Sequence, residues 1–377
     1  ALAACGPDAT DLPPGAEAYL LDMKAGRAAL EASLVERENG YAQLRLARYT
    51  PEAWGALPEW APPVAPARID DAPTSLAPVN IPSDFDTLAL QALGRDAFHH
   101  WPVQVLSNPA PALARPADFG LAVSDDGIIH GLVRVELPDG PGVALTCAAC
   151  HASPDVDGML VDGRPNADFD LGALLDAGHD ARTAAGRWGP GAVDVTADGL
   201  DNATVFTDLR PVRFQHHLHR TATVRNDLIA LAVRIETLII TSSGQSVRPP
   251  RAVALGLAVY LWSLGKTLPP VEGGPGAEVF ARACAGCHAD AALAGDPVPL
   301  AMVAAASPIG ESPERGTGHW RVPSLRGVGD RRPLLADASV DSLDALLDPR
   351  SKRAAHRFGR DLSAADRAAL LDWLKRR

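Results

Sequence analysis

Apolar residues recur at intervals of three and four along several segments of this sequence, which is the spacing that places them on one face of a helix. The segments 88–98, 228–239, 253–264 and 370–374 follow this pattern. A residue that can cap or open a helix precedes each segment: Ser83 or Asp84, Asn226 or Asp227, Pro249-Pro250, and Ser363. The pattern therefore predicts a mainly helical protein.

Three features near the amino end depart from this helical pattern. Asn39-Gly40 lies between two short segments of alternating or mixed apolar and polar residues, 34–37 and 43–46, and predicts a β-hairpin. A helix over residues 28–36 is the alternative. Seven prolines between residues 58 and 83 predict a linker without regular structure, because proline lacks a backbone donor and breaks regular elements. Residues 6–18 are also rich in proline and glycine and predict a flexible tether.

The chemistry of the chain is concentrated in two five-residue runs, CAACH at 147–151 and CAGCH at 284–288. Both are C-x-x-C-H, the attachment signature of c-type haem. Two thiols at this spacing can form thioethers with the two vinyl groups of one porphyrin, and the next histidine becomes the proximal iron ligand. The sequence thus predicts two haem c groups, with attaching thiols Cys147, Cys150, Cys284 and Cys287 and iron ligands His151 and His288.

Two alternatives to haem use the same cysteines. The four thiols could form a Cys₄ zinc site, but zinc does not require a histidine after both pairs. Each pair could be a redox dithiol, but that motif normally lies in a βαβ pattern, which flanks neither run. The two histidines therefore favour haem over both alternatives.

Composition and charge narrow the class of partner. The chain has 377 residues, enough for two or three domains, and 47% of them are hydrophobic, an ordinary fraction for a globular protein. The formal net charge of −11 disfavours a nucleic-acid partner, which requires a basic surface. It suits a redox partner protein with a basic docking patch, although solubility alone explains it equally well. The longest uncharged apolar run, Ala252 to Leu264, is too short to cross a bilayer.

The remaining cysteine, Cys5, has a context of its own. Leu2-Ala3-Ala4-Cys5 resembles the end of a bacterial lipobox, with small residues before the cysteine and Gly6 after it. This resemblance implies lipidation of Cys5 and a periplasmic or cell-envelope protein that touches the membrane through a lipid anchor only. Export agrees with haem c, which bacteria attach outside the cytoplasm. An ordinary unpaired cysteine is the alternative.

Four segments outside the haem runs carry a family resemblance. They are Leu93 to Phe98 (LGRDAF), Val322 to Val328 (VPSLRGV), Asp337 to Leu343 (DASVDSL), and His356 to Ser363 (HRFGRDLS). Together with the two runs, they make the chain similar to the bacterial di-haem cytochrome c peroxidase and MauG superfamily, including its rubber-oxygenase-like branch. The resemblance covers roughly residues 90–377.

This resemblance implies a mainly α fold with two class I cytochrome c-like haem domains packed together and a small N-terminal extension. The expected parts are a lipoprotein signal remnant and tether at 1–18, an N-terminal element and linker at 19–83, and haem domains at 84–270 and 271–377. In the second domain, Gly276, Phe280 and Cys284 are spaced by four along one helix face. Gly276 would let the final helix cross this helix closely.

The ligand on the second face of each iron decides what the haem can do, because two protein ligands favour electron transfer and an open face binds oxygen or peroxide. Met159 and Met302 follow the haem histidines too closely and are expected in the core. His356, just before the last helix, is the candidate for the second haem. The candidates for the first haem are His179, His216, His217 and His219, and with none of them its iron would be five-coordinate.

Two further patterns lie between the runs. Trp188 could form an aromatic bridge between the haems or could belong to the core. Asp194, Thr196, Asp198 and Asp201 place oxygen atoms like a calcium loop, but the bidentate glutamate that ends such a loop is missing. A plain turn is therefore preferred over a calcium site.

The motifs predict an exported di-haem c-type cytochrome that transfers electrons through two covalently bound haems. The alternative is a MauG- or oxygenase-like oxidoreductase, in which the second haem relays electrons and the first reacts with peroxide or oxygen. The family's F-W-D-G-R-like segment is absent between His151 and Cys284, and Glu236 there lies on a helix expected to be structural. Peroxidase activity is thus not implied, and no small-molecule substrate is indicated. A third hypothesis is a subunit that docks in a larger redox complex through residues 19–83.

Overall fold

The computed structural model describes residues 11–69, 75–137, 139–177, 184–196, 198–289, 291–303 and 308–377. The chain divides into two compact units, each assembled from three segments. The first unit comprises Ala1–Ser33, Arg45–Ala152 and Asp227–Ser263, and the second comprises Leu34–Leu44, Ser153–Asn226 and Leu264–Arg377.

The described residues form helices, strands and short 3₁₀ turns. In chain order, the α-helices are α1 Ala16–Leu21, α2 Met23–Ser33, α3 Gly40–Arg48, α4 Pro51–Gly55, α5 Thr87–His100, α6 Ala110–Ala114, α7 Cys147–His151, α8 Leu171–Asp176, α9 Leu228–Ser242, α10 Arg251–Leu264, α11 Pro275–Ala283, α12 Leu300–Val303, α13 Leu343–Leu346 and α14 Ala364–Lys375. The strands are β1 Pro63–Arg68, β2 Ala77–Pro78, β3 Gln104–Val105, β4 Ile128–Leu137, β5 Gly140–Leu145, β6 Ala152–Pro154, β7 Leu160–Asp162, β8 Ala192–Val193, β9 Thr204–Val205, β10 His217–Leu218, β11 Val224–Arg225, β12 Gly295–Pro299 and β13 His319–Val322. The 3₁₀ turns lie at Pro116–Phe119, Ala185–Arg187, Val212–Phe214, Pro308–Gly310 and Val328–Asp330.

The fold is mixed: 39% of the described residues are helical and 16% lie in strands. The first unit contains a five-stranded antiparallel sheet in the order β2-β1-β4-β5-β3. The prediction of a mainly α protein with two class I cytochrome c-like domains is therefore wrong. The segment 128–145 has no helical periodicity, and its β-branched residues Ile129, Val133 and Val135 are buried in the sheet.

The predicted linker at 58–83 also contributes to this sheet, because it contains β1. Val64 of β1 pairs with Val135 of β4 in antiparallel register. Val64 and Ala67 are buried. The fixed φ of proline is compatible with an extended backbone, and the burial of the small apolar residues offsets the missing backbone donors.

The β-hairpin predicted at Asn39-Gly40 is wrong, because a helix begins there. The Asn39 side-chain oxygen accepts a hydrogen bond from the Tyr41 backbone N–H at 2.9 Å, and α3 begins at Gly40. Residues 42–48 are Ala, Gln, Leu and Arg, all of which favour a helix over a strand. The preceding helix, α2, ends at Ser33 and covers part of the alternative predicted over 28–36.

Three of the predicted helices are confirmed. The Asp227 carboxylate accepts a hydrogen bond from the Ala230 backbone N–H at 2.8 Å at the start of α9. The Ser363 hydroxyl caps α14 in the same way, and α10 follows the Pro249-Pro250 pair. Among the described residues, no helix has the length and apolar character needed to cross a bilayer.

The helix predicted after Ser83 or Asp84 is α5, and its cap is Asp86. It packs closely on α10 where two glycines meet. A Cβ on Gly94 would lie 1.9 Å from the Gly256 carbonyl oxygen, so only glycine allows this approach. Because α5 also contacts β4 and α7, this helix pair supports the part of the sheet that carries the first haem run.

In the second unit, α11 and α14 cross at a glycine. A Cβ on Gly276 would lie 2.3 Å from both the Ala369 carbonyl oxygen and the Trp373 Cβ. The rings of Phe280 and Trp373 pack with their centroids 4.9 Å apart. The close crossing predicted for Gly276 is confirmed. The second unit is nevertheless not all-helical, because it also contains the two-stranded sheets β8-β9, β10-β11 and β12-β13.

Candidate haem-binding site

The second unit contains a cavity of about 370 Å³ whose wall includes the second C-x-x-C-H run. Cys284, Cys287, His288 and His356 all line it. Most of the remaining wall is apolar and includes Phe280, Val298, Trp320, Val322, Leu343 and Leu370. A volume of this size with few polar groups is typical of ligand and cofactor sites. The cavity thus unites the attaching thiols with the two histidines predicted to hold the second iron.

A single turn after α11 presents the thiols and the imidazole. The Cys284 N–H donates to the Phe280 carbonyl at 2.8 Å, and the Cys287 and His288 N–H groups donate to the Cys284 carbonyl at 3.1 and 3.0 Å. Gly295 of β12 backs this turn, since a Cβ there would lie 1.9 Å from the Cys287 carbonyl oxygen. Internal hydrogen bonds and a closely packed strand therefore fix the turn.

His288 is held as a neutral imidazole with one defined tautomer. Its Nδ1 lies 3.2 Å from the Leu293 carbonyl oxygen and 3.1 Å from that of Pro323. Because a carbonyl only accepts, Nδ1 carries the proton and Nε2 keeps its lone pair. Burial lowers the pKa of His288 to about 4, and the charges of His356 and Arg331 also lower it. Metal-binding histidines have this arrangement, with the outer nitrogen bonded to a carbonyl.

His356 has the features of a second ligand in the same cavity. Both histidines line the cavity, and the charge of His356 lowers the pKa of His288. The His356 Nδ1 is buried without a hydrogen-bond partner among the described residues, and burial lowers the pKa of the ring. The backbone φ of His356 is 48°, a left-handed conformation that costs about 1–2 kcal/mol outside glycine. An unpartnered buried nitrogen on a strained backbone favours a role in binding.

These residues fit a covalently attached haem better than a bare metal ion. Among the described residues, no group of three or more His, Cys, Asp or Glu side chains is placed to hold a metal ion. The Cys₄ zinc alternative needs four such ligands and gains no support from this part of the chain. A haem iron takes four ligands from the porphyrin and needs only one or two from the protein.

The first run forms α7, which lies on the sheet of the first unit. The Thr146 N–H donates to the Gly131 carbonyl at 2.9 Å. Gly131 has a φ of 86°, and a Cβ there would lie 2.4 Å from the Ala149 Cα. Ala148 and Ala149 are both buried. The first run is thus seated on β4 at a point where only glycine fits.

The thiols of both runs are free, and burial raises the pKa of three of them. The pKa is about 12 for Cys147 and Cys150 and about 11 for Cys284. A redox-active C-x-x-C pair requires the opposite shift, because its thiolate must be stabilised. The raised pKa values therefore oppose the redox-dithiol alternative.

The histidines predicted for the first iron have separate environments. His179 lies outside the described residues. His216 Nδ1 lies 3.6 Å from the Asp296 carboxylate. His217 lies in β10 with a pKa lowered by burial, and His219 Nδ1 is hydrogen-bonded to a threonine hydroxyl. All three belong to the second unit, and their role as ligands of the first iron stays a prediction.

Sequence reasoning did not consider His130, which precedes Gly131 on β4. This strand carries α7, and the His130 side chain is half-buried. The spacing of residues along the sequence could not indicate this position, because β4 lies next to the first run only through strand pairing and helix packing. Contact with the run is made by the next residue, Gly131, where a Cβ would lie 2.4 Å from the Ala149 Cα.

Three other predicted side chains lie away from the cavity wall. Met159 and Met302 are 67% and 51% exposed, so the prediction that both pack in the core is wrong. Neither apolar burial nor a ligand role holds them in place. Trp188 is half-buried next to Gly172 of α8, and its role as a bridge between haems stays a prediction.

The Asp-rich loop at 194–201 is closed by its own hydrogen bonds. Asp194 accepts from the Thr196 and Asn202 backbone N–H groups at 2.8 and 3.0 Å. Asp198 accepts from the Asn202 side-chain amide at 2.9 Å. A calcium ion would have to replace these hydrogen bonds, and the plain turn accounts for the acidic residues without it.

Glu236 is fully buried in the first unit. Its carboxylate accepts from the Tyr19 hydroxyl at 2.6 Å and from the Trp54 indole N–H at 2.9 Å, and the Arg251 Nε lies 3.5 Å away. The Arg251 guanidinium also lies over the Tyr19 and Trp54 rings, 4.6 and 4.9 Å from their centroids. This network joins α1, α4, α9 and α10 and supports the structural role expected of Glu236.

Comparison of the chain with protein-family models, with curated proteins and with solved structures yields no match in any of the three. The resemblance to the di-haem peroxidase and MauG superfamily therefore rests on the motifs alone.

Proposed function

We propose that this protein is an exported electron-transfer protein with two covalently bound haem c groups. The observation that carries the proposal is the convergence of Cys284, Cys287, His288 and His356 on one apolar cavity. When bound, haem supplies a one-electron Fe(III)/Fe(II) couple. The two thiols would anchor the group, and the two imidazoles would hold its iron.

Two histidine ligands favour electron transfer because they leave the iron without an open position for oxygen or peroxide. The Leu293 and Pro323 carbonyls orient His288, and the apolar wall would shield a bound haem from water. For the first run, the proposal covers attachment at Cys147 and Cys150 and proximal ligation by His151.

The attachment test uses protein produced in a bacterial host that matures c-type haem. We expect mass spectrometry to find two haems per chain. Cys147→Ala/Cys150→Ala should remove one haem and Cys284→Ala/Cys287→Ala the other, whereas the control Cys5→Ala should keep both. A folded chain that matures without bound haem would contradict the proposal.

The axial role of His356 is tested by the spin state of the iron. His356→Ala should convert one low-spin haem into a high-spin haem in the EPR spectrum. His319→Ala is the matched control, since this histidine of β13 lies outside the cavity wall. An unchanged spectrum in His356→Ala removes His356 as a ligand. A high-spin signal in the wild type that responds to cyanide would favour the oxidoreductase alternative at the first haem.

The envelope location and the partner are proposed from the sequence. The lipobox-like residues before Cys5 support a lipid anchor, and the net charge of −11 supports a basic redox partner protein. Protein isolated from its own host should carry acyl chains on Cys5 and sediment with membranes. Electron transfer to a basic partner should slow as ionic strength rises, and a rate independent of salt would contradict the charge argument.

A further inference from the structure

Two arginines line the candidate haem cavity without a carboxylate partner. Arg220 and Arg321 both form part of its wall. Arg220 donates to the Val205 carbonyl at 2.6 Å, and Arg321 lies 3.5 Å from the His217 carbonyl. Among the described residues, neither guanidinium forms an ion pair. The Arg321 backbone N–H donates to the Arg220 carbonyl at 2.7 Å, so the two residues are direct neighbours.

The third arginine of this wall differs from these two because it has a carboxylate partner. Arg331 also lines the cavity, but its Nε lies 3.2 Å from the Asp208 carboxylate. Asp208 binds Arg210 at 2.8 Å, Arg210 binds Asp330 at 2.8 Å, and Arg164 Nε lies 4.0 Å from Asp330. The two aspartates of this network are thus already shared by three arginines. Within the part of the chain that the structure describes, no carboxylate is paired with Arg220 or Arg321.

Burial and repulsion both act on this pair. Burial, together with the charges of neighbouring arginines, lowers the pKa of Arg220 to about 10 and that of Arg321 to about 9. Asp337 raises the pKa of Arg220 but forms no ion pair with it among the described residues. Both guanidinium groups remain charged at neutral pH. Two like charges facing a low-dielectric cavity are costly unless an anion binds between them.

We propose that Arg220 and Arg321 form a subsite for two carboxylates, the propionates of the haem attached at Cys284 and Cys287. This inference rests on the proposed function and adds to it the orientation of the haem and the control of its potential. Arginine binds carboxylates through two parallel hydrogen bonds, and a haem held by its vinyl groups carries two propionates at another edge. Positive charge beside the ring also favours the reduced iron and raises its potential.

The test compares Arg220→Gln and Arg321→Gln with Arg350→Gln. The control removes the same charge from a side chain that is 89% exposed and outside the cavity wall. In each cavity variant, the one-electron reduction potential of the second haem should fall by about 59 mV. This corresponds to a shift of the reduction equilibrium toward the oxidised form on the order of tenfold. Arg350→Gln should leave it unchanged, and lysine at either cavity position should restore part of the shift.

The pH profile of the potential distinguishes lost charge from altered packing. Propionates bound to arginine stay ionised, so the wild-type potential should be constant between about pH 5 and 8. In the double variant Arg220→Gln/Arg321→Gln, a propionate should titrate in this range. Its deprotonation adds negative charge, so the potential should fall as pH rises. Altered packing without a change in carboxylate ionisation produces no such slope.

Each outcome decides the proposal. Variants that keep both haems but match Arg350→Gln in potential and pH profile would overturn the subsite and leave the proposed function intact. A wild-type potential that already varies with pH in this range overturns it even if the variants do not fold. Stoichiometric binding of free succinate or inorganic phosphate to these arginines in the haem-loaded protein would also overturn it. A chain without haem at Cys284 and Cys287 overturns both proposals.

Discussion

Replacement of Glu236 measures what the buried network contributes to the first unit. The carboxylate is the acceptor for Tyr19 and Trp54 and lies 3.5 Å from Arg251. Glu236→Ala leaves two donors without an acceptor and one cation without its counter-ion. Hydrogen bonds to charged groups contribute about 1.5–3 kcal/mol each, and removing one member of a buried pair costs about 3–5 kcal/mol. We expect Glu236→Ala to lower the free energy of unfolding by about 3–5 kcal/mol.

Glu236→Gln should cost less than Glu236→Ala, because it removes the counter-charge of Arg251 but keeps a hydrogen-bond acceptor. Burial raises the pKa of Glu236, although Arg251 and both donors lower it. Glutamine keeps one oxygen that can accept from Tyr19 or Trp54. Arg251 keeps its hydrogen bonds to the Tyr19 and Asp22 carbonyls, at 2.5 and 2.9 Å. The expected loss for Glu236→Gln is about 1–2 kcal/mol.

The raised pKa also predicts how this difference depends on pH. The unfolded chain releases the Glu236 proton at about pH 4.3, and the folded chain releases it at a higher pH. Between these two values the folded state holds more protons, so stability falls as pH rises. Glutamine does not titrate. The advantage of the wild type over Glu236→Gln should therefore shrink as pH rises through this interval.

Urea unfolding of the haem-loaded protein, followed by tryptophan fluorescence and circular dichroism, gives the free energies. Glu17→Ala is the control, because Glu17 is an exposed carboxylate in the first turn of α1 and should change stability by less than about 1 kcal/mol. Equal losses for Glu236→Gln and Glu236→Ala would show that the charge dominates and would refute this reasoning. So would a Glu236→Ala variant as stable as Glu17→Ala.

Close glycine contacts and a helix cap allow further tests. Gly276→Ala should separate α11 from α14 and lower stability by about 1–3 kcal/mol in thermal melts, whereas Gly273→Ala, with no atom within 4 Å, should not. Gly131→Ala should displace α7 and lower stability by about 1–3 kcal/mol in thermal melts, without lowering haem attachment at the first run as counted by peptide mass spectrometry; a melting temperature equal to that of the wild type would contradict the contact. Asp227→Ala should cost about 1 kcal/mol through the lost cap of α9, and Asp227→Asn should restore most of it. A chelator should leave the melting temperature and spectrum unchanged, because hydrogen bonds from Thr196, Asn202 and Ser312 occupy the Asp194 and Asp198 carboxylates; a shift would support the calcium interpretation.

Helices with strong periodicity and a clear start could be predicted from the sequence. At α9 and α14 the apolar spacing and the caps Asp227 and Ser363 agree, and both signals are local. The sheet could not be predicted this way. Val64 meets Val135 only through pairing between distant segments, and the prolines around Val64 are locally unfavourable for a strand. At Asn39-Gly40, a turn signal serves instead to begin a helix.

The same distinction holds for the candidate site. The spacing of Cys284, Cys287 and His288 is a local signal, and His356 follows from a short motif near the chain's last helix. The wall of the cavity is not visible in the sequence, because its residues come from segments far apart. Arg220 and Arg321 look like ordinary surface charges until the fold places both at the cavity.

The seat of α7 on Gly131 has a consequence for the timing of maturation. In the folded chain, burial keeps the Cys147 and Cys150 thiols protonated, with pKa values of about 12, and packs the intervening alanines on β4. Thioether formation requires both sulfur atoms to reach the porphyrin vinyl groups. If haem is attached here as proposed, attachment should be faster before α7 docks on the sheet than after it, although Cys147 and Cys150 remain partly exposed in the docked helix. The yield of haem-loaded protein would then depend on the rate of haem attachment relative to the rate at which the first unit folds.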